Sequence, residues 1–259
     1  MSANEAADQS DQSDQLDQSQ PPRFLMPNWQ APANVMALMT TRVGGVSNPP
    51  FNQLNLGKHV GDHPAAVAEN RAILRSYLPA EPKWLNQVHG ITVASEGGCD
   101  ADASISTQAN EVSVIMTADC LPVLFCDQAG TVVAAAHAGW RGLCDGVLEA
   151  TVRKMARPAS EILAWMGPAI GPERFEVGDE VRTAFVAHDP AAASAFKPGA
   201  TEGKWLADIY TLAHQRLTAI GVTEVYGGGL CTVSDAENFF SYRRDHQTGR
   251  MAALIWLAA

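Results

Sequence analysis

Apolar and polar positions divide the chain into short strand-like runs punctuated by a few helical periodicities. Between Met116 and Ala136, an apolar run through Cys126 gives way to Asp127-Gln128-Ala129-Gly130 and then to strand formers from Thr131 onward. This pattern predicts a hairpin. A turn over 127–130 sets Cys126 opposite Thr131 and Cys120 opposite His137. Opposed residues of an antiparallel pair share a face, with Cβ atoms about 4.5–5.5 Å apart, so thiol and imidazole meet. Pro122 cannot donate to the ladder and calls for an edge, a bulge or the end of the pairing beside Cys120. A one-residue slip would send the two side chains to opposite faces.

Three segments carry helical spacing. The first starts at Pro64, capped by Asp62 or His63, and ends before Pro79. Its inward stripe of Val67, Asn70, Arg71, Leu74 and Leu78 places an amide and a guanidinium on an apolar face. Arg71 reads equally as a packed stem with its head on a core carboxylate and as a ligand contact. The second helix follows Trp140-Arg141-Gly142 and runs to about Arg157, with Arg153, Lys154 and Arg157 at its negative end and Pro158 as the stop. The third spans Leu206 to Ile220 and terminates at Gly221.

Residues 1–22 repeat Asp-Gln-Ser before Pro21-Pro22 and are too polar to offset their ordering entropy, so a disordered acidic tail is expected there. Residues 23–259 contain no comparable linker and read as one mixed domain. Of 259 residues 46% are hydrophobic, enough for a sizeable core, and the net charge of −10 offers nothing to a nucleic-acid backbone or an anionic membrane. No targeting segment or membrane span is evident, which makes the cytoplasm the expected location. Five scattered cysteines without a CxxC pair read as free thiols.

A thiolate and neutral imidazoles suit Zn²⁺, and catalytic zinc typically keeps three protein ligands and one open position. His89, in Asn86-Gln87-Val88-His89-Gly90, ends a strand-like run beside a glycine and is the choice for third ligand. The residues also fit a blander reading, since a free Cys is commonly a small buried hydrophobe and a lone His a structural one. Asp119 is open between two roles, acid/base or orienting residue at the site and acceptor for backbone donors in a turn. Arg42 lies in a glycine-rich loop, Arg141 in Gly139-Trp140-Arg141-Gly142 before a helix, and Arg243 follows Phe239-Phe240-Ser241-Tyr242. With Arg71 they are candidate phosphate or substrate contacts. There is no GxGxxG, Walker A or GxSxG motif.

The ordered motifs, taken together, closely resemble the YfiH family, also called the multicopper polyphenol oxidase or laccase family. They include Thr41-Arg-Val-Gly-Gly-Val-Ser47, Asn86-Gln-Val-His-Gly90, Asp100-Ala-Asp-Ala103, Thr117-Ala-Asp-Cys120, His137-Ala-Gly-Trp-Arg-Gly142 and Phe240-Ser-Tyr-Arg-Arg-Asp245, with Thr248-Gly-Arg250. The resemblance implies a single layered α+β domain with mixed β-sheets flanked by helices, similar to bacterial toxin deamidases with a Cys-His pair. It implies zinc on His89, Cys120 and His137. The activity it implies is phosphorolysis of adenosine, inosine and methylthioadenosine to base and ribose 1-phosphate, with adenosine deamination also reported for members.

Rival readings remain. Seven histidines are too few for a four-copper oxidase, although a single copper in the His/Cys site is chemically allowed. Cys120 as nucleophile and His137 as base would make a hydrolase or amidase, and some bacterial relatives are linked to editing of peptidoglycan precursors. A binding protein with structural zinc is the non-enzymatic alternative. The oligomeric state is left open, a monomer included.

Overall fold

A computed structural model describes residues 20–259, so residues 1–19 of the expected acidic tail lie outside it. In chain order the elements are β1 (Phe24–Leu25), β2 (Val35–Thr40), α1 (Pro64–Arg75), β3 (Val93–Ala94), β4 (Ala103–Ser106), β5 (Ser113–Thr117), β6 (Leu121–Asp127) and β7 (Val133–Ala138). There follow α2 (Trp140–Asp145), α3 (Val147–Met155), β8 (Ile162–Met166), β9 (Glu176–Gly178), α4 (Asp179–His188), β10 (Phe196–Pro198), β11 (Lys204–Ala207), α5 (Ile209–Ala219), β12 (Glu224–Gly227), α6 (Tyr242–Asp245) and β13 (Met251–Leu257).

Two sheets form the middle of an α+β stack. One is six-stranded and mixed, in the order β12-β8-β6-β7-β4-β3, and the other is four-stranded, β1-β2-β13-β5. They pack face to face through Leu124, Val133, Ala135 and Trp165 of the first and Met39, Ile115, Ala253 and Ile255 of the second. The far face of the six-stranded sheet buries Val123, Phe125 and Ala134 against Val147, Leu148 and Leu212 of α3 and α5. The far face of the four-stranded sheet buries Leu38, Val114 and Leu254 with Leu74 of α1. Strands covered on both faces lose apolar–polar alternation, which is why β6 and β7 read as continuous apolar runs. The layered arrangement expected from the sequence is the one observed.

The hairpin forms, with its register displaced. Cys126 pairs with Val133 and Pro122 with His137. The reason is Asp127, whose buried carboxylate accepts from the Thr131 and Val132 N–H groups at 2.7 and 3.0 Å and from the Thr131 hydroxyl at 2.5 Å. These bonds draw Thr131 and Val132 into the turn. A displacement of two residues preserves the face, so Cys120 and His137 still point the same way. Pairing with β7 runs past Pro122 to Leu121 opposite Ala138, so the hairpin ladder does not end at the proline. What ends there is the ladder with β8, which begins at Val123, and Gly167 N–H donates 2.9 Å to the Pro122 carbonyl with no donor available for a return bond.

Two of the expected helices have other bounds in the structure. The helix expected after Gly142 and through Arg157 is two helices that start at Trp140, because the chain turns helical directly after Gly139, and end at Met155. They are broken at Gly146, whose φ of 101° a residue with a Cβ would resist. The helix expected from Leu206 begins at Ile209, because Leu206 and Ala207 finish β11 and Asp208 caps the Tyr210 and Thr211 N–H groups at 3.0 and 3.1 Å. Helix α4 and the three-stranded sheet β10-β11-β9 were not expected. The first helix starts at Pro64 as its sequence dictates and ends at Arg75.

Candidate metal centre

Three loops converge at the ends of β5, β6 and β7. His89 stands in the loop after Gln87, whose amide is clipped to β5 by donating 2.8 Å to the Met116 carbonyl and accepting 2.7 Å from the Met116 N–H. Cys120 ends the tight connection from β5 to β6. His137 lies in β7 and is buried. The ligand atoms of His89, Cys120 and His137 all lie within 4.8 Å of one another, with Cys120 Sγ 3.9 Å from His89 Nε2. The residues expected to meet are together.

Asp102 holds this arrangement from behind. It is fully buried, and its Oδ1 lies 2.8 Å from His137 Nδ1. The same carboxylate accepts from the backbone N–H groups of Val88, His89 and Gly90 at 3.2, 2.9 and 2.6 Å. One side chain therefore sets the His137 ring, leaving Nε2 for the site, and fixes the His89 loop, where φ of His89 is 62°. Sequence reasoning gave Asp102 no role, although it sits in the Asp100-Ala-Asp-Ala103 motif; nothing local reveals that its acceptors are needed by residues 88–90 and 137.

Electrostatics favour an ionised thiol. Burial alone would raise the Cys120 thiol, but the imidazoles of His137 and His89 outweigh it and hold its pKa near 6. Burial alone would lower His137, and here the Cys120 thiolate and the Asp102 carboxylate prevail, raising it to about 9. Burial opposes ionisation of Asp102 too, yet its bonds to His137 and the loop amides leave its pKa below the usual range. Gly139 supplies room: a Cβ there would stand 2.8 Å from His89 Cδ2 and 3.2 Å from Cys120 Sγ.

Asp119 occupies a turn with φ of 89°. Its carboxylate accepts from the Thr232 hydroxyl and the Arg243 N–H, both at 2.6 Å, while its carbonyl accepts from Ile170 N–H at 2.9 Å. It thus clamps the Cys120 turn to the start of α6.

Two hollows meet at the triad, sharing His89, Cys120 and Tyr242. One, of about 280 Å³, is walled by Trp140, Arg141, Ile170, Phe175 and Arg243. The other, of about 260 Å³, is walled by His59, Gln87, Met116, Thr117 and Arg250. Arg141 and Arg243, two of the arginines considered as phosphate or substrate contacts, line the first of these hollows. Arg42 and Arg71 do not line either hollow. Arg42 donates to the carbonyls of Asn52 and Ala236 at 2.8 and 2.9 Å. Arg71 donates twice to the Leu56 carbonyl, at 3.0 and 2.8 Å, and stacks 3.7 Å over Trp84; burial lowers its pKa to about 10. His59 and Arg250 were not foreseen at the site.

Fold and site together define a layered α+β protein with a two-histidine, one-cysteine group able to hold a metal. Residues 36–258 match the family model of the multi-copper polyphenol oxidoreductase laccases, and the chain belongs to that family. It is 58% identical over 237 residues to a purine nucleoside phosphorylase of Pseudomonas aeruginosa, covering 90% of this chain and 98% of that one. It is 55% identical over 242 residues to the purine nucleoside phosphorylase YfiH of Escherichia coli K12, covering 91% and 99%. A crystal structure of a Neisseria meningitidis protein superposes with a TM-score of 0.88 at 53% identity, over 91% of this chain and 99% of that one. YlmD of Geobacillus stearothermophilus superposes at 0.80 with 30% identity, over 88% and 93%. No helix among the described residues is long and apolar enough to cross a membrane.

Proposed function

We propose that the protein is a zinc-dependent purine nucleoside phosphorylase acting on adenosine, inosine and methylthioadenosine. The observation that carries the proposal is the His89, Cys120 and His137 group, braced by Asp102, at the junction of two hollows. The names of relatives covering nine-tenths of the chain support the reaction class.

Zinc fits the donor set. Two imidazoles and a thiolate are its usual borderline ligands, and the 3.9 Å between Cys120 Sγ and His89 Nε2 is below the ~4.4 Å sum of ordinary Zn–S and Zn–N bonds, so one ion reaches both. When bound, zinc supplies a Lewis acid and lowers the pKa of a coordinated water. Among the described residues this is the one such group of three or more ligands, which does not suit a multi-copper oxidase.

In phosphorolysis a phosphate oxygen forms a bond to the anomeric carbon as the bond from that carbon to the purine nitrogen breaks, and the base leaves with a proton. Two co-substrates must meet at the sugar, and two hollows that join at the triad suit them. The aromatic hollow receives the purine, with Trp140, Phe175 and Tyr242 as walls that match its faces. Asp119 positions Cys120 and Arg243. Deamination of adenosine belongs to the same proposal: water adds to the purine carbon that bears the amino group and ammonia leaves, and zinc held by His89, Cys120 and His137 would supply activation of that water.

Purified zinc-loaded protein incubated with adenosine or inosine, with and without inorganic phosphate, tests the reading. Free base and ribose 1-phosphate are expected only when phosphate is present. Base release independent of phosphate, or none in either case, overturns it.

A further inference from the structure

The geometry points to His59, Thr117 and Arg250 as the phosphate-binding subsite, an inference that rests on the phosphorylase reading. All three line the smaller hollow with the triad at its edge, and no carboxylate lines that hollow.

The three differ in how they are held, and each leaves donors over. Arg250 Nη1 donates to the carbonyls of Thr248 and Gly249, both at 3.0 Å, which fixes the plane of the guanidinium. Its Nε and Nη2 have no hydrogen-bond partner among the described residues. Its backbone N–H donates 2.9 Å to Asn55 Oδ1, and Asn55 Oδ1 also accepts 2.9 Å from Gly57 N–H, so the loop bearing His59 and the strand end bearing Arg250 share one anchor. Gly57 makes the contact possible, since a Cβ there would stand 2.8 Å from Arg250 Cγ. Thr117 is 1% exposed and its hydroxyl is buried without a partner. A buried hydroxyl without a partner is costly unless something in the hollow completes it.

The charges point the same way. The nearest acid on the His59 loop, Asp62, is turned elsewhere, accepting from the Ser47 hydroxyl at 2.6 Å and the Asn55 amide at 2.8 Å. His59, though exposed overall, is held below its ordinary pKa by partial desolvation of its ring and by the cations of Arg250 and Arg71. The free Nε and Nη2 of Arg250, beside the His59 imidazole and an unpartnered hydroxyl, suit a tetrahedral oxyanion that accepts from several donors at once. The other hollow, although Arg141 and Arg243 border it, contains Asp119 and aromatic walls, which suit a purine better than a phosphate.

Steady-state rates with zinc-loaded protein, varying phosphate at saturating inosine and inosine at saturating phosphate, test this. Arg250→Met, Thr117→Val and His59→Asn are each expected to raise KM for phosphate, Arg250→Met by about tenfold or more, with KM for inosine within about twofold. Arg250→Lys should recover part of the loss. Wild-type KM for phosphate in folded Arg250→Met and His59→Asn overturns the assignment, as does a rise confined to Arg141→Ala or Arg243→Ala. His59 is exposed, so its variant stays informative if Arg250→Met does not fold. Calorimetric titration of inorganic phosphate into the zinc-loaded protein separates the two readings. Binding that weakens in Arg250→Met and His59→Asn, in a protein without phosphate-dependent turnover, removes the phosphorylase reading and keeps the anion subsite. Equal binding by wild type and both variants removes the subsite.

Discussion

Asp102 Oδ1 lies 2.8 Å from His137 Nδ1, both groups buried, and the same carboxylate binds three successive amides of the His89 loop. Removing it releases two of the three candidate ligands at once. Asp102→Ala should lower zinc affinity by about 10–100-fold, the range for loss of a carboxylate that orients a ligating histidine. Competition with a fluorescent chelator measures this. Unchanged affinity in a folded variant would mean that the loop and ring are set by other contacts.

Cys120 offers a pH test in metal-stripped protein. Its pKa near 6 means that the thiolate persists down to about pH 6 and is protonated below it. Iodoacetamide labelling of Cys120 should therefore rise with pH through about 6 and level off, and zinc should suppress it. A rise centred at the ordinary thiol value of about 8.5 contradicts this. Alkylation in zinc-loaded protein that abolishes activity while zinc stays bound favours the cysteine-hydrolase alternative.

Gly139 has φ of −64° and ψ of 157°, a conformation alanine adopts readily. Gly139→Ala thus probes the space between His89 and Cys120 with little backbone strain. The added methyl must push the imidazole or the thiol aside, and zinc affinity should fall by about tenfold or more while far-UV circular dichroism stays unchanged. Full zinc affinity would show that the ligands can shift together.

Asp119→Asn separates a clamp from an acid or base. Asparagine tolerates the positive φ at this position, so the change falls on the bonds to Thr232 and the Arg243 N–H. We expect kcat to drop while the pH–rate profile keeps its shape. Loss of one limb of the profile would make Asp119 the acid/base that the sequence allowed.

Away from the site, Glu149 on α3 and Arg216 on α5 form a largely buried pair with Oε1 to Nε at 2.5 Å. Glu149→Ala strands a buried guanidinium and should cost about 3–5 kcal/mol in urea denaturation. A double change, Glu149→Leu with Arg216→Met, should recover most of it. A loss below about 1 kcal/mol in the single variant would show that Arg216 finds water.

How far the sequence could be read depended on the range of the interactions involved. Pro64 opens α1 because proline at a first helical position is a local signal, and the Cys120–His137 proximity survives a register error because the sheet repeats every two residues. The register itself depended on the Asp127 side chain taking three turn donors, and alternation does not report that. The break at Gly146 was within reach, since an isolated glycine in a helical pattern invites it. Asp102, His59 and Arg250 were not, because their roles arise from contacts across 35 residues, as from Asp102 to His137, or 195, as from Asn55 to Arg250.

Those separations also bear on when the metal arrives. The three candidate ligands come from distinct segments joined by a buried carboxylate and meet only in the folded chain, so an ion held by all three would bind the native state in preference to the unfolded one. Metal supply and native-state population are then linked: each decade of free zinc above the dissociation constant adds about 1.4 kcal/mol to the folded state. If the protein holds zinc as proposed, starvation for the ion would thin the pool of folded molecules.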